Sequence, residues 1–188
     1  MSRRVVVVLA AAAAATLLVL LAGAALAEEV PNEITGTEGP DVLYGTAGID
    51  RMLGLGGNDV LHGRGNRDDV SGGEGDDQVY GDAQDDQVFG DAGEDRVYGG
   101  GGSDIVIGYG GADEVHGGSG NDASVAGGTG QDFLYGEAGN DVVDAIEYDD
   151  QGNQIVTEDH IYCGGGFDTV YADSMDKIAS DCERTEIS

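Results

Sequence analysis

The sequence predicts an all-β solenoid, and three observations predict it. A nine-residue phrase recurs from residue 36 to residue 144. Each copy opens on glycine and carries aspartate at its sixth place. Its eighth place is apolar, as in Leu43, Met52, Leu61 and Val70, with Ser124 the exception. Self-similarity at a short fixed period marks an architecture in which each unit buries its apolar side against the next.

The repeat dictates its own geometry. Glycine at the first place, and at the fourth in most copies, permits φ > 0 and lets neighbouring backbones approach. In a three-residue strand the central side chain points one way and its neighbours the other. The eighth place therefore fills the core, and the seventh and ninth face out. A six-residue turn and a three-residue strand make one repeat. Two repeats close a flat coil with a strand on each side, and coils stack at roughly 4.8 Å, the ordinary strand spacing. Turns on one side then recur every eighteen residues, which puts Asp86, Asp104 and Asp122 in one column and Asp77, Asp95 and Asp113 in the other.

Stacked carboxylates repel unless a cation lies between them. Calcium accepts about 6–8 oxygens, carboxylates and backbone carbonyls alike. The candidate metal ligands are Asp41, Asp50, Asp59, Asp68, Asp77, Asp86, Asp95, Asp104, Asp113, Asp122, Asp132 and Asp141, joined further on by Asp159 and Asp168.

This pattern resembles the RTX (hemolysin-type) calcium-binding nonapeptide repeat. The resemblance covers residues 36–144 and resumes at 163–171. It implies a parallel β-roll, with multiple calcium ions between successive turns on each side. Sixth-place aspartates from turns i and i+2 would supply carboxylates, and turn carbonyls would complete each shell. Three departures stand out. Asn66 and Gln84 replace the fourth-place glycine; glutamine tolerates φ > 0 less well, so the turn at residues 81–86 is expected to be the weak one. The repeat at residues 117–126 has ten residues and Ser124 at its eighth place. That suggests a bulge, or Val125 taking the inward place, with local distortion of the column.

Residues 1–27 read as a signal peptide. Arg3 and Arg4 precede an apolar run that ends at Ala25-Leu26-Ala27, a small-x-small cleavage site. The expected destination is secreted, extracellular; the alternative is an uncleaved membrane anchor, for which the run is long enough. Beyond residue 27 stand 37 acidic residues against six basic ones. That balance excludes non-specific nucleic-acid binding, which sets Lys and Arg against phosphate. With few large apolar residues it would ordinarily mean disorder, so a cation has to hold the chain where the core cannot. Residues 28–35 form a short opening segment that caps the first coil, and residues 36–144 form the roll. Many proteins that carry this repeat place catalysis upstream of it, and residues 28–35 are too short for a catalytic domain.

The period lapses after Asp144. Residues 145–157 hold a turn-rich stretch flanked by Ala145-Ile146 and Ile155-Val156, read as a projecting hairpin. Residues 158–188 are expected to hold the final repeats and a C-terminal cap. Two cysteines in an exported chain suggest a disulfide, Cys163–Cys182, stapling that cap.

No motif supplies catalysis. His62 and His116 at ninth places and His160 at a seventh are read as scattered, outward residues. Ser119 lacks the second glycine of a nucleophile elbow, and Gly99 to Gly102 are not followed by the Lys-Ser/Thr of a phosphate loop. The aspartates repeat with the structural period, which favours ligation over glycoside hydrolysis. The sequence thus points to an exported, non-catalytic calcium-binding protein with a structural, adhesive or buffering role. The alternatives are a glycan-binding or surface module using Tyr80, Phe89, Tyr98 and Tyr135, all at ninth places, and an enzyme with an unrecognised site.

Overall fold

The computed structural model describes residues 30–149 and 151–187. The expected signal peptide lies outside them, as do Glu28 and Glu29. Two parallel sheets face each other and exchange the chain at every repeat. The first takes Asn32–Thr35, Asp50–Gly56, Asp69–Glu74, Gln87–Ala92, Ile105–Gly110, Ser124–Thr129, Val142–Asp144, Thr169–Ala172 and Arg184–Ile187, in that order. The second takes Val42–Tyr44, Val60–His62, Gln78–Ala83, Arg96–Gly101, Glu114–Ser119, Phe133–Ala138, His160–Gly165 and Lys177–Ile178. This is an all-β parallel solenoid, and no helix occurs among the described residues.

The eighth-place side chains form one column between the sheets. Met52, Leu61, Val70, Val79, Val88, Val97, Val106 and Val115 are completely buried. Val125, not Ser124, takes the inward place in the ten-residue repeat, in register with Val106 and Val143.

The strands are longer than three residues. From Asp69 to Ala138 each runs for six, through the seventh to ninth places and on to the third place of the next repeat. The reason lies in the stacking. The glycine N–H at the first place donates to the carbonyl one coil on, as Gly63 does to Tyr80 at 2.8 Å. The fourth-place N–H does the same, as Gly75 does to Ala92 at 2.8 Å. Turn and strand are one continuous ladder, and the backbone satisfies its polar groups almost all the way round.

Two departures from the coil occur near the end. The strands Glu147–Tyr148 and Gln154–Ile155 pair antiparallel and make a small separate sheet. Cys163 and Cys182 form a disulfide, with Cα atoms 5.1 Å apart. It ties the segment after Lys177–Ile178 to the buried face of the last full coils.

Candidate metal columns

Each sixth-place aspartate ends a turn and points inward, because the strand that follows it fixes its backbone. All fourteen candidate aspartates are buried, with at most 6% of their surface exposed. They form two columns. Asp41, Asp59, Asp77, Asp95, Asp113, Asp132 and Asp159 share one; Asp50, Asp68, Asp86, Asp104, Asp122, Asp141 and Asp168 share the other. Within a column each Oδ1 accepts the backbone N–H of the aspartate one coil earlier: Asp86 donates to Asp104 at 2.8 Å, and Asp104 to Asp122 at 2.9 Å. The ten-residue repeat does not distort its column. Asp122 still donates to Asp141 at 2.9 Å, because the additional residue follows the aspartate instead of preceding it.

The second carboxylate oxygen is the informative one. Among the described residues, Oδ2 of eleven of these aspartates, from Asp59 to Asp168, is buried and accepts no hydrogen bond. Leaving one buried polar atom unpaired costs about 1–3 kcal/mol, and more for a charged group. A series of eleven is not a set of isolated defects. Most of these Oδ2 atoms lie near the carbonyl of the first-place glycine one coil on. A Cβ built on Gly99 would stand 2.5 Å from Gly117 O and 2.6 Å from Asp104 Oδ2. Only glycine keeps that space open.

Burial also shifts the carboxyls. Loss of solvent, reinforced by stacked carboxylate neighbours and opposed by the backbone N–H, pushes Asp86 up to about 8 and Asp77 and Asp95 up to about 7. Near neutral pH these three carboxyls therefore favour a bound proton or a cation over standing bare. Hard, stacked, unpartnered oxygen donors beside exposed carbonyl lone pairs fit calcium.

The first two turns differ. Thr37 donates its N–H to Asp41 Oδ2 at 2.6 Å and its hydroxyl at 2.9 Å. Thr46 donates to Asp50 Oδ2 in the same way, at 2.6 and 3.1 Å. Here the turn itself supplies the partners that the later turns lack. At the other end Asp159 donates its N–H to Asp176, and Asp168 to Glu183, so acidic residues of the cap close both columns.

Sequence reasoning missed three features. The second place also needs φ > 0: Leu55, Arg64, Asp82, Asp91, Tyr109 and Glu137 all hold φ between 74° and 82° there. Its signal was the glycine recurring at that place in Gly73, Gly100, Gly118 and Gly128. His62 and His116 are not scattered: Tyr44, His62, Tyr80, Tyr98, His116, Tyr135 and Tyr162 form one ladder along the second sheet, with centroids 4.4–5.3 Å apart, while His160 lies outside it against Phe133. Phe89 lies on the first sheet, away from it. The inner rings cover one another's faces, so they present edges to solvent and not the faces on which a sugar would stack. Third, Glu147 from the inserted hairpin reaches Asp132 and Asp159; nothing in its own neighbourhood in the sequence marks it.

The sequence model of the RTX calcium-binding nonapeptide repeat matches in four copies, at residues 35–70, 62–97, 89–123 and 124–145. No curated protein and no solved structure matches the chain. Ten of the eleven unpartnered aspartate Oδ2 atoms, from Asp59 to Asp141, fall in the matched stretch, and by both its sequence and its stacked aspartate turns the chain belongs to the RTX calcium-binding nonapeptide repeat family.

Proposed function

We propose that this is an exported, non-catalytic structural protein whose roll folds when calcium enters its aspartate columns. The observation that carries the reading is the series of unpartnered Oδ2 atoms from Asp59 to Asp168. The eighth-place column buries about one apolar side chain per repeat, and ordering a residue costs about 1–2 kcal/mol of backbone entropy. So thin a core does not outweigh that cost together with the repulsion in two carboxylate columns. Ligand that binds only the folded chain stabilises it by mass action. Export would carry the chain from a low-calcium compartment to a high-calcium one. The Cys163–Cys182 bond supports that direction, since disulfides persist in oxidising compartments.

The test is far-ultraviolet circular dichroism of the chain lacking residues 1–27, disulfide intact, titrated with calcium. A steep transition to strand signal is expected, with its midpoint near the ~10⁻⁴–10⁻³ M of extracellular calcium modules. Magnesium should substitute poorly, since it demands tighter octahedral geometry. A strand signal and a cooperative thermal transition that persist in excess chelator would overturn the reading.

A further inference from the structure

The coil after Asp144 departs from every other coil. Ala145 stands where the first-place glycine would be, and its N–H donates to Tyr171 O at 2.8 Å, as those glycines do. The next column aspartate is Asp159, so this turn carries nine additional residues. They form the hairpin of Glu147–Tyr148 and Gln154–Ile155. The column continues across it unbroken: Asp132 donates its N–H to Asp159 Oδ1 at 2.8 Å, across 27 residues of sequence.

The hairpin returns something to the column. Carboxylate oxygens of Asp132, Glu147 and Asp159 all lie within 4.8 Å of one another. All three residues are buried, Glu147 with 4% of its surface exposed. Asp132 Oδ2 and Glu147 Oε2 accept no hydrogen bond. Thr157 donates its hydroxyl to Glu147 Oε1 at 2.5 Å, which holds the glutamate in place, and Oε2 is the oxygen left without a partner. The basic side chains closest in sequence are engaged elsewhere, since Lys177 and His160 both contact Glu158. Three buried carboxylates with two orphaned oxygens and, among the described residues, no basic partner are a divalent-cation site in the making.

We propose that Glu147, Asp132 and Asp159 form a calcium site distinct from the repeat sites, tighter than they are, whose occupancy fastens the inserted hairpin to the roll. An ordinary step of the column offers carboxylates from two aspartates; this step offers a third, from outside the repeat. Calcium affinity rises with ligand charge and with rigidity of the site, and the disulfide-closed cap lies on the same coils. The site fills first. The inference rests on the calcium reading of the roll.

Equilibrium dialysis with radioactive calcium, on the chain lacking residues 1–27, tests it. The native chain should show one ion bound at a calcium concentration at least tenfold below the midpoint of the rest. Glu147→Gln keeps the size of the side chain and the Thr157 contact, and should abolish that first step while the remaining sites fill. An isotherm unchanged by Glu147→Gln overturns this site alone. A native chain that binds no calcium overturns the function proposed above as well. Should Glu147→Gln fail to fold, the native chain still decides the matter. Chymotrypsin cleavage after the exposed Tyr148, followed by mass spectrometry, should be suppressed at the first, low-calcium step. Protection that appears only with the bulk transition overturns the proposal.

Discussion

Two residues in equivalent places can have different chemistry, and Asp104 and Asp41 show it. Asp104 lies mid-column with a buried, unpartnered Oδ2. Asp41 has its Oδ2 occupied by the N–H and hydroxyl of Thr37. Asp104→Ala is therefore expected to lower the bound-calcium count, by as many as the two ions that flank it. Asp41→Ala should leave the count unchanged or nearly so. Calorimetric stoichiometries that fall equally would sink the two-column arrangement. A second residue-scale expectation concerns Gln84, which holds φ at +77° where most copies have glycine. The left-handed region costs an L-residue about 1–2 kcal/mol, and glycine's greater loss of freedom takes back about 0.5–1 kcal/mol. Gln84→Gly should thus stabilise the calcium-loaded roll by up to ~1.5 kcal/mol, read as a higher thermal midpoint. A lower midpoint would mean that the Gln84 side chain contributes more than its backbone strain costs.

At the scale of the strand, inside and outside differ in kind. Val106 is completely buried and lies in register between Val88 and Val125. Val106→Asp would bury a carboxylate with no partner, at a cost of several kcal/mol. Tyr98 faces out, yet it is sandwiched between Tyr80 and His116 at centroid distances of 4.8 Å on both sides. Each aromatic pair contributes about 0.5–1.5 kcal/mol beyond area burial. Tyr98→Ser should then cost about 1–3 kcal/mol, more than an outward strand position ordinarily does and still less than Val106→Asp. Equal thermal losses in the two variants would show the inward face to be misassigned. A negligible loss in Tyr98→Ser would show that the ladder contributes nothing to stability.

The whole roll links folding to charge. Burial raises the column aspartates from Asp59 onward above their ordinary carboxyl value of 3.8, Asp132 and Asp86 to about 8 and Asp159 to about 7. Between about pH 4, where an unfolded aspartate titrates, and the raised values, the cation-free folded chain binds more protons than the unfolded chain. Its stability therefore rises as pH falls through that window and is lost as pH rises through it. In excess chelator, strand signal should be weak near pH 8 and grow on acidification toward pH 5. With calcium present the dependence reverses, since protons and calcium compete for the same oxygens. Calcium affinity should fall over the same window. A chelated chain whose strand content is flat from pH 8 to pH 5 would show that the columns do not oppose folding.

The period of nine by itself determined the two sheets, the eighth-place core and the two aspartate columns. All three follow from repetition: a unit that cannot bury its apolar side alone has to stack on copies of itself, and stacking superposes every like place. The Cys163–Cys182 pairing was legible for a simpler reason, since two cysteines allow one bond. The tertiary structure decided what depends on which groups meet across coils. Strand length came from turn N–H groups bonding one coil on, which no single repeat contains. The threonines that close the first two turns act by geometry that composition does not reveal. His62 and His116 looked scattered because they are 54 residues apart in sequence, and only the superposition of coils sets them in one ladder with the tyrosines. Glu147 lies outside the period altogether. Its meaning depends on a nine-residue insertion that preserves the phase of the column, so that a hairpin side chain arrives beside Asp132 and Asp159.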